Sequence, residues 1–146
     1  MDIKLLKKES YLRMIKNSVG TKMFRNLYIE VKDKKIDATH NGILSCAYFV
    51  SSILLIWGLI KKKHATVIKT VLDIEKFGWK KISINKMQSG DIIIWEEKNN
   101  HLHCGFYIGD KKAISNSEFK KIPAVHSWDY NGKRKIIATY KCPLNK

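Results

Sequence analysis

Residues 103–110 read HCGFYIGD, and this stretch decides the fold. Phe106, Tyr107 and Ile108 favour a pleated backbone, and the Gly109-Asp110-Lys111-Lys112 turn ends the run, so a β-strand is predicted. A period of two puts His103, Gly105 and Tyr107 on one face and Cys104, Phe106 and Ile108 on the other. Upstream, Asp91 to Trp95 (DIIIW) is a second β-rich run, entered through the turn Ser89-Gly90. The polar loop EEKNN joins the two runs as a hairpin. A third strand is expected through Ala113-Ile114-Ser115-Asn116, and a last one over 134–140 with Ile136, Ala138 and Tyr140 on one face.

Before this hairpin, residues 46–60 read CAYFVSSILLIWGLI, with Phe49, Val50, Ile53, Leu54 and Trp57 at helical spacing. The turn signal Asn41-Gly42 places the helix start near Ser45 or Cys46. Residues 43–60 carry no charge and run into Lys61-Lys62-Lys63, which makes a membrane span the rival reading. Ser45, Cys46, Ser51, Ser52 and Gly58 dilute the run, so a buried core helix and no transmembrane segment are expected. A further helix is predicted from Thr66, as N-cap, through Val67, Val71, Ile74 and Phe77 to Gly78. In the N-terminal part, Leu5, Leu12 and Ile15 form a helical stripe ending near Gly20, and Leu27, Ile29 and Val31 alternate like a strand. The reading is a single domain over 1–146, with 1–40 an extension packed on a core formed by 41–146. A chain of 146 residues with 45% hydrophobic content and four Trp can bury one core.

A cysteine opening a helix and a histidine opening a strand are the two parts of a thiol nucleophile, because the thiolate rather than the thiol attacks. Unpaired N–H groups at the helix start favour that thiolate and suit the oxyanion of a tetrahedral intermediate. Gly105 leaves room beside His103, so Cys46 is expected on the face of His103, Gly105 and Tyr107, with Cys104 in the core. If Asp110 and Lys111 form the turn tip, Gly105 faces Asn116 and His103 faces Glu118. Asn116 then lies diagonal to His103, where its carbonyl would orient the imidazole. One bulge would present Ser115 instead, and His126 in the following loop is the outside alternative. His101 shares the face of His103 but lacks the Gly-aromatic sequence after it. His40 and His64 read as solvated loop residues.

The cluster His101-Leu102-His103-Cys104 concentrates metal-ligand types, but consecutive strand residues point to opposite faces and no C-x-x-C pair exists, so neither metal nor organic cofactor is expected. Three cysteines without framework spacing argue against structural disulfides. MDIKLLKKES lacks the apolar core of a signal peptide, and the expected compartment is the cytoplasm unless the chain leaves by another route. The formal charge of +15 suits an acidic partner, yet only three of the 28 basic residues are arginines (Arg13, Arg25, Arg134). A phosphate-reading surface enriches Arg for its bidentate fork, so the composition speaks against nucleic acid and for a solvated lysine surface. It does not fix the oligomeric state.

The order SCAYFV, helix, SGDIIIW, HCGFYIGD resembles the NlpC-like cysteine peptidases, relatives of papain that cleave peptide links in bacterial peptidoglycan. The resemblance covers residues 40–118, and the histidine motif is its most specific part. It implies an α+β, papain-like core with a catalytic helix packed on an antiparallel sheet. By the resemblance, Cys46 is the nucleophile, His103 the general base and a polar residue of the next strand, here Asn116, the third member. An ungapped alignment puts Ser115 at that place instead. The implied reaction is hydrolysis of an amide or isopeptide bond in a peptide or peptidoglycan fragment. The alternatives are a non-catalytic binding module of the same fold and a basic nucleic-acid binder. Ser45 stands where the family carries Asp, Ala47-Tyr48 where it carries Ser-Gly, and Ser89 where it carries Pro. Tyr28 is not matched to the family's upstream Tyr, since it lies far back and lacks the usual glycines.

Overall fold

The computed structural model describes every residue from Met1 to Lys146. Its elements run α1 (Lys7–Asn17), β1 (Tyr28–Val31), β2 (Lys34–Asp37), α2 (Cys46–Ile56), α3 (Val67–Phe77), β3 (Lys80–Lys81), β4 (Ile92–Lys98), β5 (His101–Gly109), β6 (Lys112–Ser117), β7 (Ile122–Ser127) and β8 (Ile136–Lys141). The fold is α+β. Six strands pair antiparallel in the order β3-β8-β4-β5-β6-β7, and β1 and β2 form a separate two-stranded ribbon.

The alternation read from the sequence sorts this sheet into two faces. Ile92, Ile94, Cys104, Phe106, Ile114 and Tyr140 point to one side, where they pack with Tyr11 and Ile15 of α1, Phe49, Val50, Ile53 and Leu54 of α2, and Ile74 of α3. The Phe49 and Phe106 rings meet edge to face at 5.4 Å, and Tyr11 joins them 6.1 Å from Phe106. Burying each such ring stabilises the fold by about 2–3 kcal/mol. On the opposite side Ile93, Trp95 and Ala113 form a smaller cluster covered by Tyr107, Trp128 and Tyr130.

The apolar helix begins at Cys46 as its sequence predicts, but ends at Ile56 rather than continuing to Ile60. Gly58 adopts φ 65°, and the Leu59 N–H turns back to donate to the Leu54 carbonyl at 2.8 Å, which closes the helix and buries Leu59. No helix of the chain is long and apolar enough to cross a membrane. In α3, Thr66 caps the start by accepting from the Lys69 N–H at 3.3 Å, and Gly78 at φ 109° ends it.

Three elements differ from the sequence reading. The N-terminal helix stops at Asn17, short of Gly20, and leaves Leu5 exposed; the Tyr11 hydroxyl holds it to the turn before β4 by donating to the Gly90 carbonyl at 2.7 Å. The strand expected around Leu27 to Val31 pairs with Lys34–Asp37, but this ribbon is exposed rather than packed in the core. His126, expected in a loop, lies instead in the edge strand β7, where Pro123 is tolerated because one side of an edge strand needs no N–H partner.

The β5–β6 turn carries the difference that matters most. The pairs are Gly109 with Lys112, then Tyr107 with Ala113 and Phe106 with Ile114, so the register slips by one residue at Ile108. Beyond Ile114 the parity of β6 is therefore opposite to that of an unbulged hairpin.

Candidate active site

Cys46 is the first residue of α2, and the chain before it is tied down at two points. The Ser45 hydroxyl donates to the Phe24 carbonyl, and the Asn116 amide donates to the Gly42 carbonyl at 2.7 Å. Because Ser45 uses its side chain in that way, no side chain caps α2, and no acidic residue lies in its first turn. The helix-start N–H groups keep their partial positive charge for whatever sits beside the thiol. The β5–β6 ladder ends at Phe106–Ile114, and α2 packs against both strands.

There the half-buried Cys46 thiol meets two side chains, those of Cys104 and His103. The hydrogen bond from the Cys104 thiol and the charge and hydrogen bond of His103 outweigh burial and hold the Cys46 thiol well below its ordinary value of 9.0. Cys104, donating to Cys46 and fully buried, is pushed up correspondingly. Sequence parity placed Cys46 on the face of His103, Gly105 and Tyr107. Instead α2 packs on the face of Cys104 and Phe106, and Cys46 reaches His103 from the helix end. The space left by Gly105 is taken by the sheet itself: a Cβ there would lie 2.7 Å from Ser115 Cβ, 2.8 Å from the Ile114 oxygen and 3.0 Å from Trp95.

His103 Nε2 lies 2.9 Å from Ser115 Oγ and 2.9 Å from the Tyr130 hydroxyl. Ser115 Oγ is also 2.6 Å from His126 Nε2 and 3.0 Å from the Tyr130 hydroxyl. The rings of His126 and Tyr130 stack at 4.0 Å, and Trp95 underlies the group, 5.1 Å from His103 and 5.4 Å from His126 between centroids. Burial, with the charge of His103, lowers His126 to about 4, and burial pushes Tyr130 up to about 12. Both are neutral near pH 7.

The expectation that Asn116 orients His103 is therefore corrected. The bulge at Ile108 turns Ser115 onto the His103 ring and sends Asn116 to the Gly42 carbonyl, where it supports the loop that leads into Cys46. His126 comes from β7 rather than a loop, directly across from Ala113. Tyr130 and Trp95 have no motif of their own. The only signal for Tyr130 is the aromatic run Ser127-Trp128-Asp129-Tyr130 following His126.

The other histidines lie apart. His101 is exposed at the start of β5 and offers its carbonyl to Arg134 at 3.0 Å. His40 is exposed in a left-handed turn, while His64, expected to be solvated, is hydrogen-bonded through Nε2 to the Asp73 carboxylate at 2.6 Å. Tyr28 is exposed on β1 with Lys35 over its ring. No three His, Cys, Asp or Glu side chains converge at a spacing that holds a metal ion.

Cys46, His103, Ser115 and His126 line a cavity of about 980 Å³. Its walls mix the apolar pair Ile29 and Ile36 of the exposed ribbon with Glu97, Glu118 and Arg134. No curated protein matches the chain. The model of the NlpC/P60 family matches residues 11–137, most of the chain, and the protein belongs to that family.

Proposed function

We propose that the protein is a cysteine peptidase or amidase that cleaves an amide or isopeptide bond, with Cys46 as nucleophile, His103 as general base and acid, and Ser115 as the residue that orients His103. Family membership supports the class of activity. The observation that carries the residue assignment is geometric: Cys46 opens the uncapped α2, and the neighbouring His103 ring is held at Nε2 by Ser115; the downward direction of the Cys46 thiol is in keeping with it.

In this reading His103 Nδ1 holds the proton of Cys46, and the thiolate attacks the substrate carbonyl carbon. The oxyanion forms beside the uncapped N–H groups of α2. His103 passes the proton to the leaving nitrogen, the C–N bond breaks, and an acyl-thioester remains on Cys46. Water, losing a proton to His103 Nδ1, then attacks the thioester carbon, the C–S bond breaks, and the acid leaves with the Cys46 thiolate and the protonated His103 restored. A cavity of about 980 Å³ with apolar walls and charges of both signs suits a peptide, including the peptide of a peptidoglycan fragment.

The test is turnover of defined peptidoglycan stem peptides and of a fluorogenic peptide library by the wild type and by Cys46→Ala. Cleavage lost in Cys46→Ala supports the reading. Binding without cleavage in both proteins means a non-catalytic module of the same fold.

A further inference from the structure

We propose that His126, acting through Ser115, is a positioning residue that keeps a proton on His103 Nε2, so that Nδ1 is the nitrogen exchanging a proton with Cys46. This rests on the reading of Cys46 and His103 as nucleophile and base, and adds a member that does not touch substrate.

His126 Nδ1 lies 2.6 Å from the Ser127 carbonyl oxygen, which can only accept, so Nδ1 carries a proton. A neutral His126 then has a bare Nε2, which must accept from Ser115 Oγ at 2.6 Å. The single hydroxyl proton of Ser115 is thereby committed, and its oxygen has only lone pairs to offer its other neighbours. These are His103 Nε2 at 2.9 Å and the Tyr130 hydroxyl at 3.0 Å, which also lie 2.9 Å from each other. A Tyr130 proton given to a bare Nε2 would leave the lone pairs of Nε2 and Ser115 Oγ facing each other at 2.9 Å, so Tyr130 donates to Ser115 and Nε2 donates in turn. Donation by His103 requires a proton on Nε2. The neutral ring then has Nδ1 free as the base, and the charged ring keeps the same bond while Nδ1 holds the proton of Cys46.

Two features keep the chain in this direction. Burial, with the charge of His103, holds His126 down at about 4, so it stays an acceptor toward Ser115 near neutral pH. Tyr130, pushed up to about 12 by burial, keeps its own proton and stacks on His126, which fixes the ring plane. Serine alone cannot specify a tautomer, because its hydroxyl donates as readily as it accepts. His126 removes that freedom.

The experiment is ¹⁵N NMR of histidine-labelled protein together with steady-state kinetics. In the wild type at pH 7.5, His126 is expected as the neutral Nδ1–H tautomer. In Cys46→Ala at a pH where His103 is neutral, His103 is expected as Nε2–H. Adding His126→Phe should convert His103 to a tautomer mixture, and His126→Gln, whose amide oxygen can accept from Ser115, should restore Nε2–H. On the Cys46 background, His126→Phe should lower kcat by an order of magnitude or more with KM little changed, and His126→Gln should recover most of it. A wild-type His126 carrying its proton on Nε2, or a His103 tautomer indifferent to His126→Phe, overturns the proposal. The wild-type spectrum decides if the Phe variant fails to fold. Failure of the underlying reading appears separately, as Cys46→Ala retaining full turnover while the histidine tautomers are as stated.

Discussion

Gly105 on β5 lies directly against Ser115 on β6, so close that a Cβ on the glycine would come within 2.7 Å of the serine Cβ. Two of its neighbours, the Ile114 carbonyl at 2.8 Å and the Trp95 ring at 3.0 Å, belong to backbone and packed core and cannot swing aside. The contact links the sheet's second core to the serine that touches His103. It also explains why glycine follows His103-Cys104 in the sequence.

Gly105→Ala should therefore destabilise the fold by about 2–3 kcal/mol and displace Ser115. Urea unfolding checks the stability. Loss of turnover in the fraction that remains folded checks the displacement. An alanine variant with wild-type stability would mean that β5 and β6 are further apart than described.

Substitutions at Ser115 and Asn116 should separate chemistry from scaffolding. Ser115→Ala removes the acceptor of His103 and should lower kcat by an order of magnitude or more. Asn116→Ala removes a buried hydrogen bond to Gly42 and should cost about 1–3 kcal/mol of stability, while turnover per folded molecule stays within a few-fold. Kinetics corrected for the folded fraction distinguish the two.

The hairpin and its parity up to Tyr107 were legible because one face of β5 is buried against α2, which imposes a strict alternation on HCGFYIGD. Cys46 at a helix start was legible from the Asn41-Gly42 turn and the apolar run that follows. Strand parity pointed to Asn116, because a one-residue bulge at Ile108 leaves no composition signal while reversing every side chain after it; the ungapped alignment to the family was the signal that pointed to Ser115. The strand around His126 carries no sequence signal, since Pro123 breaks the pattern of 122–127 and only pairing along β6 makes that segment a strand. The thiol of Cys104 against Cys46 depends on how deeply α2 sits on the sheet, which no local pattern encodes.

Stability should fall in acid through His126. Its folded value, about 4, lies below the ordinary 6.5, so between these values the unfolded chain binds a proton that the folded one refuses. The contribution is fully present above about pH 6.5 and is lost as pH falls through about 4, amounting to up to about 3 kcal/mol. The groups facing His126 are His103, Ser115 and Tyr130. Urea unfolding at intervals from pH 7 to pH 4 should show this slope in the wild type and a shallower one in His126→Gln.

The rate of Cys46 alkylation by iodoacetamide as a function of pH, in the wild type and in His103→Ala, tests the central claim most directly. A thiol lowered by the Cys104 hydrogen bond and by His103 should react near neutral pH with a midpoint well below 9.0, while Cys104 and Cys142, both buried and both raised, stay unmodified. His103→Ala should move the midpoint upward and slow labelling at pH 7 by roughly tenfold or more. A wild-type midpoint at or above 9.0, or a profile unchanged by His103→Ala, would contradict the pairing of Cys46 with His103.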